Sequence, residues 1–323
     1  MLKAALRSRE TTLAVALLLT LSLVQSINHA FLGTNNVRDL LVQISPFVIL
    51  SCGMTFVMLL GEIDISVGSV CGLLSACLGL MVSPTHLGLP ANLVAVVVIA
   101  AGAMFGLVNG LLVAFGRVPS IIVTLGMLTV LRGVTEVLLG GKWVTDLTPA
   151  IRVFGTGQIV GIPVPVLAAG LTVALSVIVA TQTPFGRRLY AVGSNPHAAE
   201  IKGLPSRRIK LVAFAVLGML AGLATLVSAP QLLVVESGFA SGWELFVVTC
   251  VVVGGVSVKG GRGTVVGAVL GVALLGIVRT VLIFAKLGDQ AVYWERSIQG
   301  AFILGAVLAD RMSTRTRQGA AEA

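Results

Sequence analysis

Apolar and polar positions alternate along this chain on the scale of whole helices. Uncharged runs fall at about 11–25, 40–60, 65–82, 92–115, 120–139, 163–182, 209–229, 243–258, 264–285 and 292–310, separated by short polar breaks. Most approach the ~20 residues that one helix needs to cross the hydrocarbon of a bilayer. The pattern predicts an all-α, polytopic membrane protein of about ten transmembrane helices, with residues 1–323 forming one domain. The first run follows Lys3, Arg7 and Arg9 as the apolar part of a secretory leader would. No small-residue cleavage site follows it and many spans come after, so an uncleaved first helix is expected.

Composition strengthens that class. With 56% hydrophobic and 11% charged residues and a mean hydropathy of +1.03, a water-soluble domain has nowhere to bury its apolar surface. The net charge of +9 raises nucleic acid as a partner, so the cations must first be placed on sides of a membrane. If the chain starts inside, one side receives Lys3 to Arg9, Arg117, the basic residues from Arg187 to Lys210, Lys259, Arg262, and Arg311 to Arg317. The other receives only Arg38, Lys142, Arg152 and Lys286, while Arg132, Arg279 and Arg296 fall within runs. This asymmetry predicts N-in and C-in and removes the nucleic-acid reading. Cys52, Cys71, Cys77 and Cys250 all lie in apolar runs without a CxxC pair, as small buried residues do. His29, His86 and His197 are far apart, and no metal site is predicted.

One polar break stands out: TPFGRRLYAVGSNPHAAEIKGLPSRRIK at 183–210. Asn195 suits a helix N-cap, Pro196 the first helical position and Gly203 the residue just past the end, which predicts a helix of roughly seven residues. Such a helix is too short to stand alone. Ala198, Ala199 and Ile201 give it a small apolar surface amid Arg187, Arg188, Glu200, Lys202, Arg207 and Arg208. That composition suits docking into a partner's groove. It also suits a basic loop lying beside anionic lipid.

Other candidates lie within the runs. GEIDISVGS at 61–69 places Glu62 and Asp64 in apolar surroundings, followed by Ser66. Asp64 either caps the helix that follows, where both acids favour the positive end of its dipole, or serves a polar path from an inward dip or vestibule. Arg132 and Glu136 stand four apart on one helix face, either paired or facing a water-filled path. With Asn109, Thr124 and Thr249 they make up the candidate translocation route. Small residues at Gly68, Gly72, Ser75 and Gly79, at Gly102, Gly106 and Gly110, and at Gly218 and Gly222 predict close helix packing. A short internal echo pairs VGSVCG at 67–72 with VGAVLG at 266–271.

The chain has no GxxxxGK[ST], hence no phosphate cradle of its own, and no nucleophile–base arrangement. A proton-coupled secondary transporter using Asp64 and Glu136 is the alternative class, and a membrane scaffold the third.

GEIDISVGS at 61–69, RVPSIIVTLGMLTVLRG at 117–133, the stretch from Phe185 to Gly203 and GWELFVVTCVVVGGVSVKGGRGTVVGAVLG at 242–271 together resemble the ribose-type permease subunits of bacterial ABC importers. The resemblance runs from about 40 to 310, and GGKWV at 140–144 with Trp294-Glu295 is closer to the autoinducer-2 and rhamnose branch. It implies a multi-pass protein of the bacterial inner membrane that imports a sugar or sugar-like solute by alternating access. The implied partners are an ABC ATPase subunit that holds ATP and Mg, an extracytoplasmic solute-binding protein, membrane lipid and a second permease copy, identical or related. No cofactor is implied on this chain. The family's coupling helix maps to Pro196–Lys202, which makes Gly193, Asn195, Pro196, Ala199, Glu200 and Gly203 the residues expected at the ATPase. Where the family motif commonly carries two glycines before Ile-Asp, this chain has Gly61-Glu62.

Overall fold

The computed structural model describes residues 9–29 and 31–284, together with Trp294, Ser297, Ile298, Gly300, Ala301, Leu304 and Gly305. Its helices are α1 (Arg9–Ile27), α2 (Thr34–Leu59), α3 (Val67–Val82), α4 (Ala91–Ala114), α5 (Ser120–Leu139) and α6 (Pro149–Thr156). After a small hairpin follow α7 (Val164–Gln182), α8 (Pro184–Ser194), α9 (Pro196–Ile201), α10 (Ser206–Ser228), α11 (Trp243–Val253) and α12 (Val265–Phe284). The hairpin pairs β1 (Gln158–Ile159) antiparallel to β2 (Ile162–Pro163). It turns through Val160 and Gly161, both at positive φ, as a two-residue hairpin turn requires.

Six of these helices, α2, α4, α5, α7, α10 and α12, have the length and apolar composition to cross a membrane. Helices α1, α3 and α11 carry shorter apolar runs. At ~1.5 Å per residue the 16 residues of α3 rise about 24 Å, short of a ~30 Å hydrocarbon core. The run at 243–258 keeps only the 11 residues of α11. Gly254 ends it where α12 arrives: a side chain there would meet the Gly267 carbonyl. The run at 292–310 lies outside the described residues apart from the isolated positions named above.

The core is built on α2 and α10. Ile49, Leu50, Met54, Met58 and Leu59 on α2 and Phe214 and Leu217 on α10 are fully buried, and a Cβ on Gly53 would lie 2.9 Å from the Leu217 Cα. Helix α4 packs along the other side of α10 through glycines. Side chains at Gly102 and Gly106 would strike the carbonyls of Gly218 and Phe214, and one at Gly222 would lie 2.7 Å from the Val98 carbonyl. This is the close packing that the sequence predicts at these positions, with backbone against backbone. The four cysteines are free, with Cys52, Cys71 and Cys250 buried and Cys77 half-buried.

Candidate functional site

The break between α2 and α3 is a short link that turns into the bundle. Asp64 is 4% exposed there. Its Oδ1 accepts from the Ser66 amide (2.8 Å) and hydroxyl (2.6 Å), and its Oδ2 accepts from Asn109 Nδ2 (3.2 Å) on α4. The same Nδ2 lies 2.9 Å from Ser66 Oγ. Helix α5 receives the link's backbone: Ser120 Oγ accepts from the Ile63 amide and Thr124 Oγ1 from the Ile65 amide, each at 3.2 Å. Free amides of an irregular segment at this depth need such partners. Asp64 therefore does not cap α3, as one of its two expected roles required. The N-cap position is Ser66, without a side-chain cap bond, and Asp64 holds Ser66 in a local turn.

Four candidate residues thus come together: Asp64, Ser66, Asn109 and Thr124. Two do not. Arg132 stands two turns further along α5, and its Nη1 donates to the carbonyls of Ser237 and Phe239, both at 2.9 Å. Glu136 lies exposed on the same helix, and the expected pair between them is not formed among the described residues. Two converging carbonyls of the 232–242 segment reward the half-buried guanidinium more than one solvated carboxylate does. Thr249 is buried and its Oγ1 donates back to the Leu245 carbonyl at 2.6 Å, so it serves its own helix.

The glycine face of α3 also departs from expectation. A Cβ on Gly72 would meet Arg132 Nη1 at 2.9 Å. One on Gly68 would meet Glu244 Oε2 and, at 2.8 Å, the Ala240 carbonyl. The missing side chains make room for charged groups and a non-helical segment, with no helix backbone lying there. Glu244 belongs to the site and was missed, although it lies within GWELFVV. Its Oε1 accepts from the Gly242 amide (3.2 Å), while Oε2 and Asn109 Oδ1 are buried without a hydrogen-bond partner. Among the described residues no group of three potential metal ligands occurs. What the arrangement offers is a line of hydrogen-bonding groups inside an apolar bundle, chemistry that suits contact with a neutral polar solute.

The segment at 183–210 is more structured than one short helix. Thr183 Oγ1 accepts from the Gly186 amide at 3.2 Å and Pro184 takes the first position of α8. Leu189 and Val192 are buried on its inner face, and Tyr190 donates to the Gly263 carbonyl at 2.8 Å. Helix α9 then forms as its cap residues predict. Asn195 Oδ1 accepts from the Ala198 amide (2.9 Å). Gly203, at φ +75, donates to Glu200 O (2.9 Å), and Leu204 donates to Ala199 O (3.0 Å). This is the left-handed glycine stop of a helix C-terminus. Asn195, Pro196, Glu200 and Gly203 are exposed, and so is Ile201 at 72%. Gly193 and Ala199 are buried and turn toward the bundle. A side chain at Gly193 would run into the Leu59 carbonyl.

At the far ends of α3 and α5 a second polar cluster joins two loops. Asp146 Oδ2 accepts from Ser83 Oγ and Thr85 Oγ1, each at 2.7 Å, and His86 Nδ1 lies 3.0 Å from Ser83 Oγ. The hydrogen bonds from Thr85 and Ser83 hold the Asp146 carboxyl below its ordinary pKa. Close by, Val144 and Val235 exchange backbone bonds.

A bundle of apolar helices with a polar line through its interior is the build of a polytopic transport protein. The chain belongs to the permease family described as "Branched-chain amino acid transport system / permease component", which matches residues 36–307. It is 37% identical over 300 residues to the ribose import permease of Haemophilus influenzae, covering 92% of this chain and 91% of that one. To the ribose import permease of Escherichia coli K12 it is 35% identical, covering 92% of each. To an autoinducer 2 import system permease of Photorhabdus laumondii it is 34% identical, covering 95% of this chain and 90% of the other. No solved structure matches. Identities this close favour neither branch.

Proposed function

We propose that this chain is the membrane-spanning subunit of an ABC importer of the bacterial inner membrane, moving a monosaccharide or sugar-like solute inward by alternating access. The carrying observation is similarity over 92% of its length to ribose import permeases, joined to a capped helix that points Glu200 and Ile201 away from the bundle. In this reading the chain crosses the membrane ten times, N-in and C-in, with α3 and α11 completing their crossings through the links beside them. The contacts support that orientation: the basic 183–210 segment, Lys259 to Gly263 and the start of α5 all gather around the α2–α3 link. A partner ATPase subunit supplies ATP and Mg and docks on the exposed face of α9. A solute-binding protein delivers the solute from the other side, and a second permease copy completes the path. Energy enters because the ATPase binds nucleotide more tightly in one arrangement of the bundle than in the other.

Proton coupling gains nothing from the geometry. Asp64 is engaged by Ser66 and Asn109, and Glu136 stands exposed two to three turns away from Thr124. The deciding experiment is ATP hydrolysis by this chain and its ATPase in nanodiscs, with and without the binding protein, across ribose, rhamnose and related sugars. Stimulation that requires both the binding protein and one sugar establishes the importer. Solute movement that follows a proton gradient and ignores ATP would overturn it.

A further inference from the structure

The exposed helix α9 is fastened on both flanks to the same short link. Upstream, Gly193 packs its backbone on the Leu59 carbonyl at the end of α2. That carbonyl also accepts from the Gly261 amide at 2.8 Å, and a Cβ on Gly260 would lie 2.7 Å from the Gly61 amide nitrogen. Downstream, Lys210 Nζ on the first turns of α10 lies 2.5 Å from Glu62 Oε1, with the two side chains only 24% and 15% exposed. Between these anchors the chain carries α9 and the start of α10. Beyond them on the link stand Asp64 and Ser66, two and four residues past Glu62.

We infer that Glu62 and Lys210 form a strut that makes the link follow α9, so that they are positioning residues for transport; this rests on the importer reading above. A helix fastened at one flank swings about that point and leaves the link where it was. Fastened at both, it can move only by carrying the link along or by breaking a joint. The joints differ in strength. A half-buried ammonium–carboxylate bond is roughly twice as strong as a neutral one. The link's backbone is held to α5 only by neutral 3.2 Å bonds from Ile63 and Ile65 to Ser120 and Thr124. A pulled link therefore parts from α5 before it parts from Lys210, which changes the setting of Asp64 and Ser66 while α9 remains attached. The same pair accounts for the carboxylate at position 62: its partner lies 148 residues away, on the helix that follows α9.

The test is a charge swap in proteoliposomes holding this chain with its ATPase and binding protein, reading ribose or rhamnose taken up per ATP hydrolysed and per folded permease. Glu62→Lys and Lys210→Glu are each expected to lower that ratio by about fivefold or more, the size of an ordinary coupling energy. The double swap, E62K with K210E, is expected to restore it to within about twofold, since the interaction belongs to the pair. Single reversals with the wild-type ratio, or a double swap no better than the singles, would overturn the strut. If reversal prevents folding, Glu62→Gln keeps the shape and removes the charge. An unchanged ratio in that variant sinks the proposal, and a reduced one with stable protein supports it. Wild-type protein whose uptake ignores ATP would instead remove the importer reading, so the two failures are told apart.

Discussion

Two glycine faces in this protein share a spacing and differ in what fills them. On α4, Gly102, Gly106 and Gly110 receive the backbone of α10. On α3, Gly68 and Gly72 receive Glu244, Arg132 and the carbonyls of Ala240 and Phe239. Small residues four apart announce that something comes close. Whether it is a helix or a pair of charges depends on elements far away in the chain. The first face is rigid because neither backbone can yield. The second is adaptable, because side-chain ends and an irregular segment can shift.

The contrast can be broken in order of effect. Gly102→Val sets two helix backbones apart, and overpacking of this kind is expected to cost about 3 kcal/mol or more, read as loss of folded protein in thermal melts. Arg132→Ala leaves the Ser237 and Phe239 carbonyls without their donor and is expected to cost about 1–3 kcal/mol. Arg132→Lys recovers part of that, because an ammonium reaches one carbonyl more readily than two. Gly72→Ala meets the flexible end of Arg132 first, so a loss of about 1 kcal/mol is expected in melts, with a clearly larger fractional loss in uptake. A Gly72→Ala variant as unstable as Gly102→Val would erase the distinction between the faces.

The smallest effect concerns the loop cluster around Asp146, which is partly exposed and has its carboxyl pKa lowered by Thr85 and Ser83. A lowered folded-state pKa stabilises above the ordinary carboxylate value and ceases to do so as pH falls through the folded value. Melts taken from neutral to acid pH are expected to show a shallow acid loss that Asp146→Asn flattens. An identical acid limb in both proteins would show that the cluster carries no such linkage.

Much of the fold was legible where burial is uniform around a helix. The run at 120–139 is α5 to the residue, and Asn195, Pro196 and Gly203 mark α9 because caps are local chemistry. Helix α8 was not legible, since Arg187 and Arg188 interrupt its apolar face and Leu189 and Val192 find cover only in the folded bundle. The lengths of α3 and α11 were overestimated for a similar reason: apolar character extends past the helix ends into segments buried by their neighbours. Of the site, Asp64, Asn109 and Thr124 were conspicuous as polar residues in apolar runs. Glu244 was not, because its importance comes from Gly68 on a different helix. The echo between 67–72 and 266–271 proves structural as well as sequential. Both stretches open a helix, α3 and α12, and both turn glycines toward the stretch from Ala240 to Gly254.

The thiols described earlier have a practical reach. Three of the four are sealed in the core and the fourth is half covered, so a water-soluble maleimide finds little to react with in the wild-type chain. One Cys77→Ser change would leave a nearly silent background. A cysteine placed at Ile201 could then carry a fluorophore or spin label, and the travel of that helix could be followed through a cycle of nucleotide binding and release.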